Sequence, residues 1–119
     1  MTSSYDAGLA GESAAEAYLV SRGMRVLARR FRAEGGEIDL VMEDGETVVF
    51  VEVKARPQGK RGDGLIAVTP AKQKRIARAA VAFLYAREWM SRAARFDVVE
   101  ISAAGIVYLS NAFQTRAWG

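Results

Sequence analysis

The stretch from Gly36 to Arg56, GEIDLVMEDGETVVFVEVKAR, sets acids among apolar residues and reads as two strands on either side of Asp44-Gly45. That pair suits a two-residue type I′ hairpin, whose central positions both need positive φ. With this turn Glu43 faces Glu46, Asp39 faces Phe50 and Glu37 faces Glu52. Successive side chains leave opposite sides of a strand, so Glu37, Asp39 and Val41 share one sheet face with Val48, Phe50, Glu52 and Lys54. Ile38, Leu40 and Met42 go to the other face with Val49, Val51 and Val53. Three carboxylates and a lysine thus meet on a half-buried surface, where opposed acids repel and lose hydration. Such a cluster asks for a cation.

The flanking segments carry other periods. From Tyr5 to about Arg22 the apolar positions fit a helix, capped by Ser3 or Ser4 and ended by Gly23 in the left-handed conformation. Ala7, Gly11, Ala14, Ala15, Tyr18 and Leu19 form its apolar arc at 100° per residue. Glu12 lies at the border of that arc, with Glu16 further toward water, so Glu12 is the helix acid that looks inward. Met24 to Ala33 reads as a first strand bearing Arg25, Arg29, Arg30 and Arg32, and Glu34-Gly35-Gly36 as a turn into the hairpin. Pro57 to Gly64 is a basic, glycine-rich loop. Thr69-Pro70 supplies a capping hydroxyl and a proline at the first helical position, which predicts a second helix to about Trp89 or Met90. This helix buries Ile76, Ala80, Phe83 and Leu84. Arg95 to Ile101 reads as a fourth strand and Ile106 to Leu109 as a short fifth. Asn111 to Trp118 reads as a tail with a helical turn that tucks Phe113 against the core. The order is helix, three strands, helix, strand and a small extra strand.

Composition narrows the chemistry. The chain has 119 residues, half of them hydrophobic and about a quarter charged, which fits one domain over residues 1–119 with a real core. It has no cysteine and no histidine. Thiolate and imidazole metal sites, cysteine nucleophiles and the Ser-His-Asp arrangement are excluded, so any metal is held by oxygen, as suits Mg²⁺ or Mn²⁺. The first residues lack the pattern of a secretory signal and no run has the length of a membrane span, so a cytoplasmic location without membrane contact is expected. Charge is lopsided: residues 1–53 sum to −5, residues 54–78 to +7 and residues 79–119 to +1. The basic block begins where the acidic cluster ends.

A divalent ion on Asp39 and Glu52, with a third carboxylate from the first helix, would lower the pKa of a bound water and neutralise charge on a phosphorane. Lys54 follows Glu52 by two residues, at about 7 Å along the same face. Its ammonium would orient the water or stabilise transition-state charge. The basic loop and helix start, with Arg56, Lys60, Arg61, Lys72, Lys74 and Arg75, would hold a phosphate backbone. These parts suit a metal-dependent nuclease.

Asp39, Glu52-x-Lys54 resembles the core motif of the PD-(D/E)XK, or restriction-endonuclease-like, superfamily. More closely, the chain resembles the YraN-like family of predicted bacterial endonucleases. The resemblance rests on Gly8-x-x-x-Glu12 with Ala15 and Leu19, on Gly36-Glu37-Ile38-Asp39-Leu40 and on Phe50-Val51-Glu52-Val53-Lys54-x-Arg56. Lys72 and Arg95-Phe96-Asp97-Val98-Val99 extend it over nearly the whole chain. It implies an α/β fold with an αβββαβ core and a mixed central sheet flanked by helices. By analogy with archaeal Holliday-junction resolvases it also implies Glu12, Asp39 and Glu52 as metal ligands, Lys54 in the lysine role, DNA or branched nucleic acid as substrate, and a homodimer. The proline of the superfamily name is replaced by Ile38.

Two other readings use the same residues. A nucleic-acid-binding module would keep the fold without turnover, and a structural or adaptor protein would hold a stabilising ion only. Lys54 and Arg56 as simple counter-charges to the acids, and the basic block as a solvated helix face, belong to those readings. Trp89, Phe113 and Trp118 are read as packing groups.

Overall fold

The computed structural model describes residues 4–56 and 68–114. Its elements are α1 (Ser4–Ser21), β1 (Arg25–Ala33), β2 (Gly36–Asp44), β3 (Thr47–Arg56), α2 (Pro70–Ala86), β4 (Ala94–Ser102) and β5 (Gly105–Phe113). The strands form one sheet in the order β1-β2-β3-β4-β5. Neighbours are antiparallel except β3 and β4, which run parallel. A parallel pair needs a crossover, and α2 supplies it. The result is the mixed sheet with flanking helices expected of a restriction-endonuclease-like core.

Alternation along β3 divides the core in two. Val48 and Phe50 pack with Ile76, Ala80, Phe83 and Leu84 of α2, while Val49, Val51 and Val53 pack with Ala15 and Leu19 of α1. Phe50 and Phe83 meet edge to face at 5.8 Å. Each such fully buried side chain contributes roughly 1.5–3 kcal/mol of hydrophobic stabilisation. Gly23 ends α1 as expected, at φ +96°. Met24 N–H reaches back to the Leu19 carbonyl at 3.2 Å and Gly23 N–H to that of Val20 at 2.9 Å, the paired bonds of a Schellman end. Thr69 caps α2, its hydroxyl accepting from Lys72 N–H at 3.3 Å.

Several boundaries differ from the sequence reading, each for a local reason. The β2–β3 turn is Gly45-Glu46, with Asp44 paired to Thr47 inside the ladder. Only Gly45 has positive φ there, at +60°, as in a turn that places glycine first. Asp44 stays in its strand because Arg95 Nη2 holds its carboxylate at 3.0 Å, and Arg92 Nη2 holds the Glu46 carbonyl at 2.8 Å. Two positive-φ central residues occur instead at Glu34-Gly35, +52° and +76°, between β1 and β2.

Helix α2 stops at Ala86, short of Trp89. Glu88 turns left-handed, φ +60°, and Trp89 N–H bonds the Leu84 carbonyl at 2.8 Å, which returns the indole to Phe83 at 6.2 Å. Strand β5 is longer than expected and absorbs Asn111–Phe113, the start of the expected tail, whose residues 115–118 lie outside the described residues. A register shift opposite Asp97 and positive φ at Asn111, +54°, let the strand resume. Phe113 then stacks on Phe96 at 4.7 Å. The Pro57–Gly64 loop and Trp118 lie outside the described residues. Among the described residues no helix is long and apolar enough to cross a membrane.

Candidate active site

Strands β2 and β3 pair only from their turn to Leu40–Val51. Beyond that pair β2 continues with β1 through Ile38 and Gly36, and β3 continues with β4 as far as Arg56. The fork between them opens at the next two positions, Asp39 and Glu52. This corrects the expected register, in which Asp39 faced Phe50 and Glu37 faced Glu52. Moving the turn by one residue shifts the pairing by two. Face parity of β3 survives that shift and the two acids come together.

The face assignment of β2 changes at the same point. Ile38 packs with Val41 in the α2-side core, apart from Leu40 and Met42 on the α1 side. The alternation therefore breaks at Asp39. Its Oδ2 accepts Val53 N–H at 2.7 Å, a donor that β2 no longer serves by ladder bonding. Gly36 allows this end of β2 to lie against α2, since a Cβ there would stand 2.2 Å from the Arg75 carbonyl oxygen. Glu37 is exposed and pairs with Arg32 at 3.4 Å, so it is not one of a buried acid triplet, although it lines a cavity together with Asp39 and Glu52.

Burial pushes the Asp39 carboxyl up to about 8, reinforced by the charge of Glu52 and, less, of Glu12; the Val53 hydrogen bond works the other way. Glu52 is 6% exposed, and its Oε1 receives both Lys54 Nζ at 2.9 Å and Lys72 Nζ at 3.0 Å. Burial lowers the pKa of Lys54, helped by Lys72. Burial opposes charge on Lys72 as well, yet its contacts with Lys54 and Glu52 raise its pKa. Two ammoniums on one carboxylate oxygen, beside a second carboxyl forced toward neutrality, mark a site where charges of both signs are crowded out of water. A cavity of about 270 Å³ opens on Asp39, Glu52, Lys72 and Arg75.

Glu12 comes from α1 on the other side of the sheet. Its Oε2 accepts Arg30 Nε at 2.9 Å, and its charge is felt at Asp39. Glu16 is tied instead to the exposed Arg29, so the helix-wheel choice of Glu12 as the inward acid agrees with the packing. Among the described residues no three acids stand close enough to form a ready ion cage. Of the expected nucleic-acid contacts, Lys72 and Arg75 line the cavity, whereas Lys74 is exposed on α2. Arg56 ends β3, and Lys60 and Arg61 lie outside the described residues.

Sequence reasoning missed Arg30, which pattern alone left among four strand arginines. It also missed the buried Asp97, which accepts from Arg95 Nε at 3.1 Å, Asn111 N–H at 2.8 Å and the Tyr108 hydroxyl. Its signals were the apolar neighbours Phe96 and Val98 and its place in the Arg95–Val99 segment that carries the resemblance.

A model of a family described as "Uncharacterised protein family UPF0102" matches residues 11–101. A UPF0102 protein of Herminiimonas arsenicoxydans is 47% identical over 108 residues, 91% of this chain and 86% of that protein. One of Geobacter metallireducens is 44% identical over 111 residues, 90% of this chain and 91% of the relative. Another, of Ralstonia pickettii, is 46% identical over 114 residues, 92% and 91% respectively.

Proposed function

The chain belongs to the UPF0102 family, and for this member we propose metal-dependent endonuclease chemistry, the hydrolysis of phosphodiesters in DNA or a structured nucleic acid. The observation that carries this reading is the fork at Asp39 and Glu52. Two carboxylates stand side by side in a poorly solvated cavity, and burial, reinforced by the charge of Glu52, drives Asp39 toward its neutral form. A hard divalent ion relieves that repulsion, and an all-oxygen donor set suits Mg²⁺ or Mn²⁺. Asp39 and Glu52 would hold it, with Glu12 as the third ligand once it leaves Arg30. When bound, the ion supplies an acidified water and a counter-charge for the scissile phosphate.

The chain's own side chains do the rest. Glu52 anchors Lys54 beside the reacting centre, where the ammonium holds the attacking water or meets charge developing on the phosphate oxygens. Lys72 and Arg75 project into the same cavity from the first turns of α2 and hold the phosphate there by charge. Their placement next to Glu52 gives the basic segment a role that net charge alone could not.

The other reading is a nucleic-acid-binding module without turnover. It is favoured by the two lysines on Glu52, which already neutralise that acid, and by the lack of a preformed three-acid cage among the described residues. The two are separated by incubating the protein with labelled duplex, single-stranded and branched DNA in Mn²⁺ or EDTA, beside Asp39→Ala and Lys54→Ala. Nuclease chemistry predicts Mn²⁺-dependent cleavage that falls by at least about 100-fold in both variants. Equal cleavage by the wild type and Asp39→Ala would sink the mechanism. Salt-sensitive binding with no cleavage would establish the module instead.

A further inference from the structure

Arg30 holds a backbone conformation that arginine rarely adopts, with φ at +51°. Such a residue stores strain and persists only where its surroundings fix it. Its neighbours Arg29 and Phe31 pair with Leu40 and Ile38, so Arg30 stands opposite Asp39, where β2 also loses its alternation. The left-handed step redirects the side chain. In a regular strand, consecutive residues leave opposite faces; here Arg29 reaches Glu16 and Arg30 reaches Glu12, both on α1, and Phe31 returns to Phe83 of α2. The distortion thus aims the guanidinium at Glu12. This pair is the more sheltered of the two, with side-chain exposures of 32% and 17% against 62% and 25% for Arg29–Glu16.

Glu12 is therefore near the fork but engaged by an arginine. We propose that Arg30 is the positioning residue for Glu12: it holds this third carboxylate on the α1 side of the sheet, across from Asp39, and releases it when a divalent ion arrives. This deepens the metal-dependent reading above and rests on it. Without metal, the arginine keeps a third negative charge from crowding two that already repel. With metal, Arg30 and the ion compete for one carboxylate, so the strength of the Arg30–Glu12 contact sets the affinity of the site.

Calorimetric titration of the whole chain with Mn²⁺ tests this in a double-mutant cycle. Arg30→Asn removes the cation while tolerating the left-handed backbone. Arg30→Gly, which takes positive φ at no steric cost, is the second variant should the first melt early. Either change is expected to tighten Mn²⁺ about fivefold. In a Glu12→Gln background the same change is expected to do nothing, and Arg30→Lys is expected to restore most of the wild-type affinity.

Equal tightening with and without Glu12 would show a long-range charge effect and overturn the proposal, as would unchanged affinity in Arg30→Asn and Arg30→Gly. If the wild type binds Mn²⁺ and Asp39→Asn abolishes the heat, either of those results fails the Arg30 role alone. No Mn²⁺ heat in the wild type or either Arg30 variant would overturn the metal site itself together with the role of Arg30.

Discussion

Asp39 shows how one residue's surroundings set the behaviour of the site. Its carboxyl titrates near 3.8 when unperturbed, whereas burial, followed by the charge of Glu52, pushes it up to about 8 in the fold. The folded state therefore binds this proton more tightly than the unfolded chain does. Its contribution to stability is fully present below the unfolded value and is lost as pH rises through about 8. Glu16 and Glu43, lowered by hydrogen bonds to Arg29 and to Arg92 and Arg25 respectively, act in the opposite sense but only in the acid range. Urea denaturation in EDTA from about pH 5 to about pH 9 is therefore expected to show falling stability in the wild type. Asp39→Asn, neutral throughout, should flatten that slope. The same slope in both proteins would contradict the assignment. None of this was legible in the sequence beyond the acid itself, because burial at a fork depends on which strand each neighbour chooses to follow.

Among the elements, the helices and strands and their order along the chain were legible because periodicity and capping report them directly: Thr69-Pro70 opened α2 and Gly23 closed α1. What pattern could not report was left-handed backbone at residues other than glycine. Arg30, Glu88 and Asn111 all have positive φ, and each marks a place where the sequence reading was silent or went astray. Those residues mark the arginine's choice of face, the end of α2 and the length of β5. Turn chemistry misled for a related reason, since Asp44-Gly45 has the composition of a type I′ turn but Asp44 is held in the ladder by Arg95. Glycines make the same distinction measurable. Gly36→Ala places a Cβ 2.2 Å from the Arg75 carbonyl, so α2 and β2 must separate, and a loss of about 2–3 kcal/mol is expected. Gly8→Ala meets nothing within 4 Å in α1 and should gain about 0.5–1 kcal/mol from helix propensity. Urea midpoints of the two variants moving in the same direction would contradict this account of how α2 is seated.

At the scale of the whole molecule, the sheet brings together what the sequence keeps apart. Asp39 on β2, Glu52 and Lys54 on β3 and Lys72 on α2 come from three elements and meet at the fork in the sheet, while Glu12 of α1 is held by Arg30 of β1. The acids and the lysine of β3 were legible from alternation. Lys72 was legible as part of a basic helix start, but its contact with Glu52 needs the parallel crossover that carries α2 back over β3. Arg30 was not legible, because its pairing with Glu12 depends on a backbone distortion. Nuclease chemistry at the fork requires that Asp39 and Glu52 hold an ion. A Mn²⁺-soaked crystal, measured for anomalous scattering, tests that most directly. The predicted result is an anomalous peak between the carboxylates of Asp39 and Glu52, lost in Asp39→Asn crystals. The contradicting result is well-ordered density for both side chains with no peak between them, or a peak that survives the substitution.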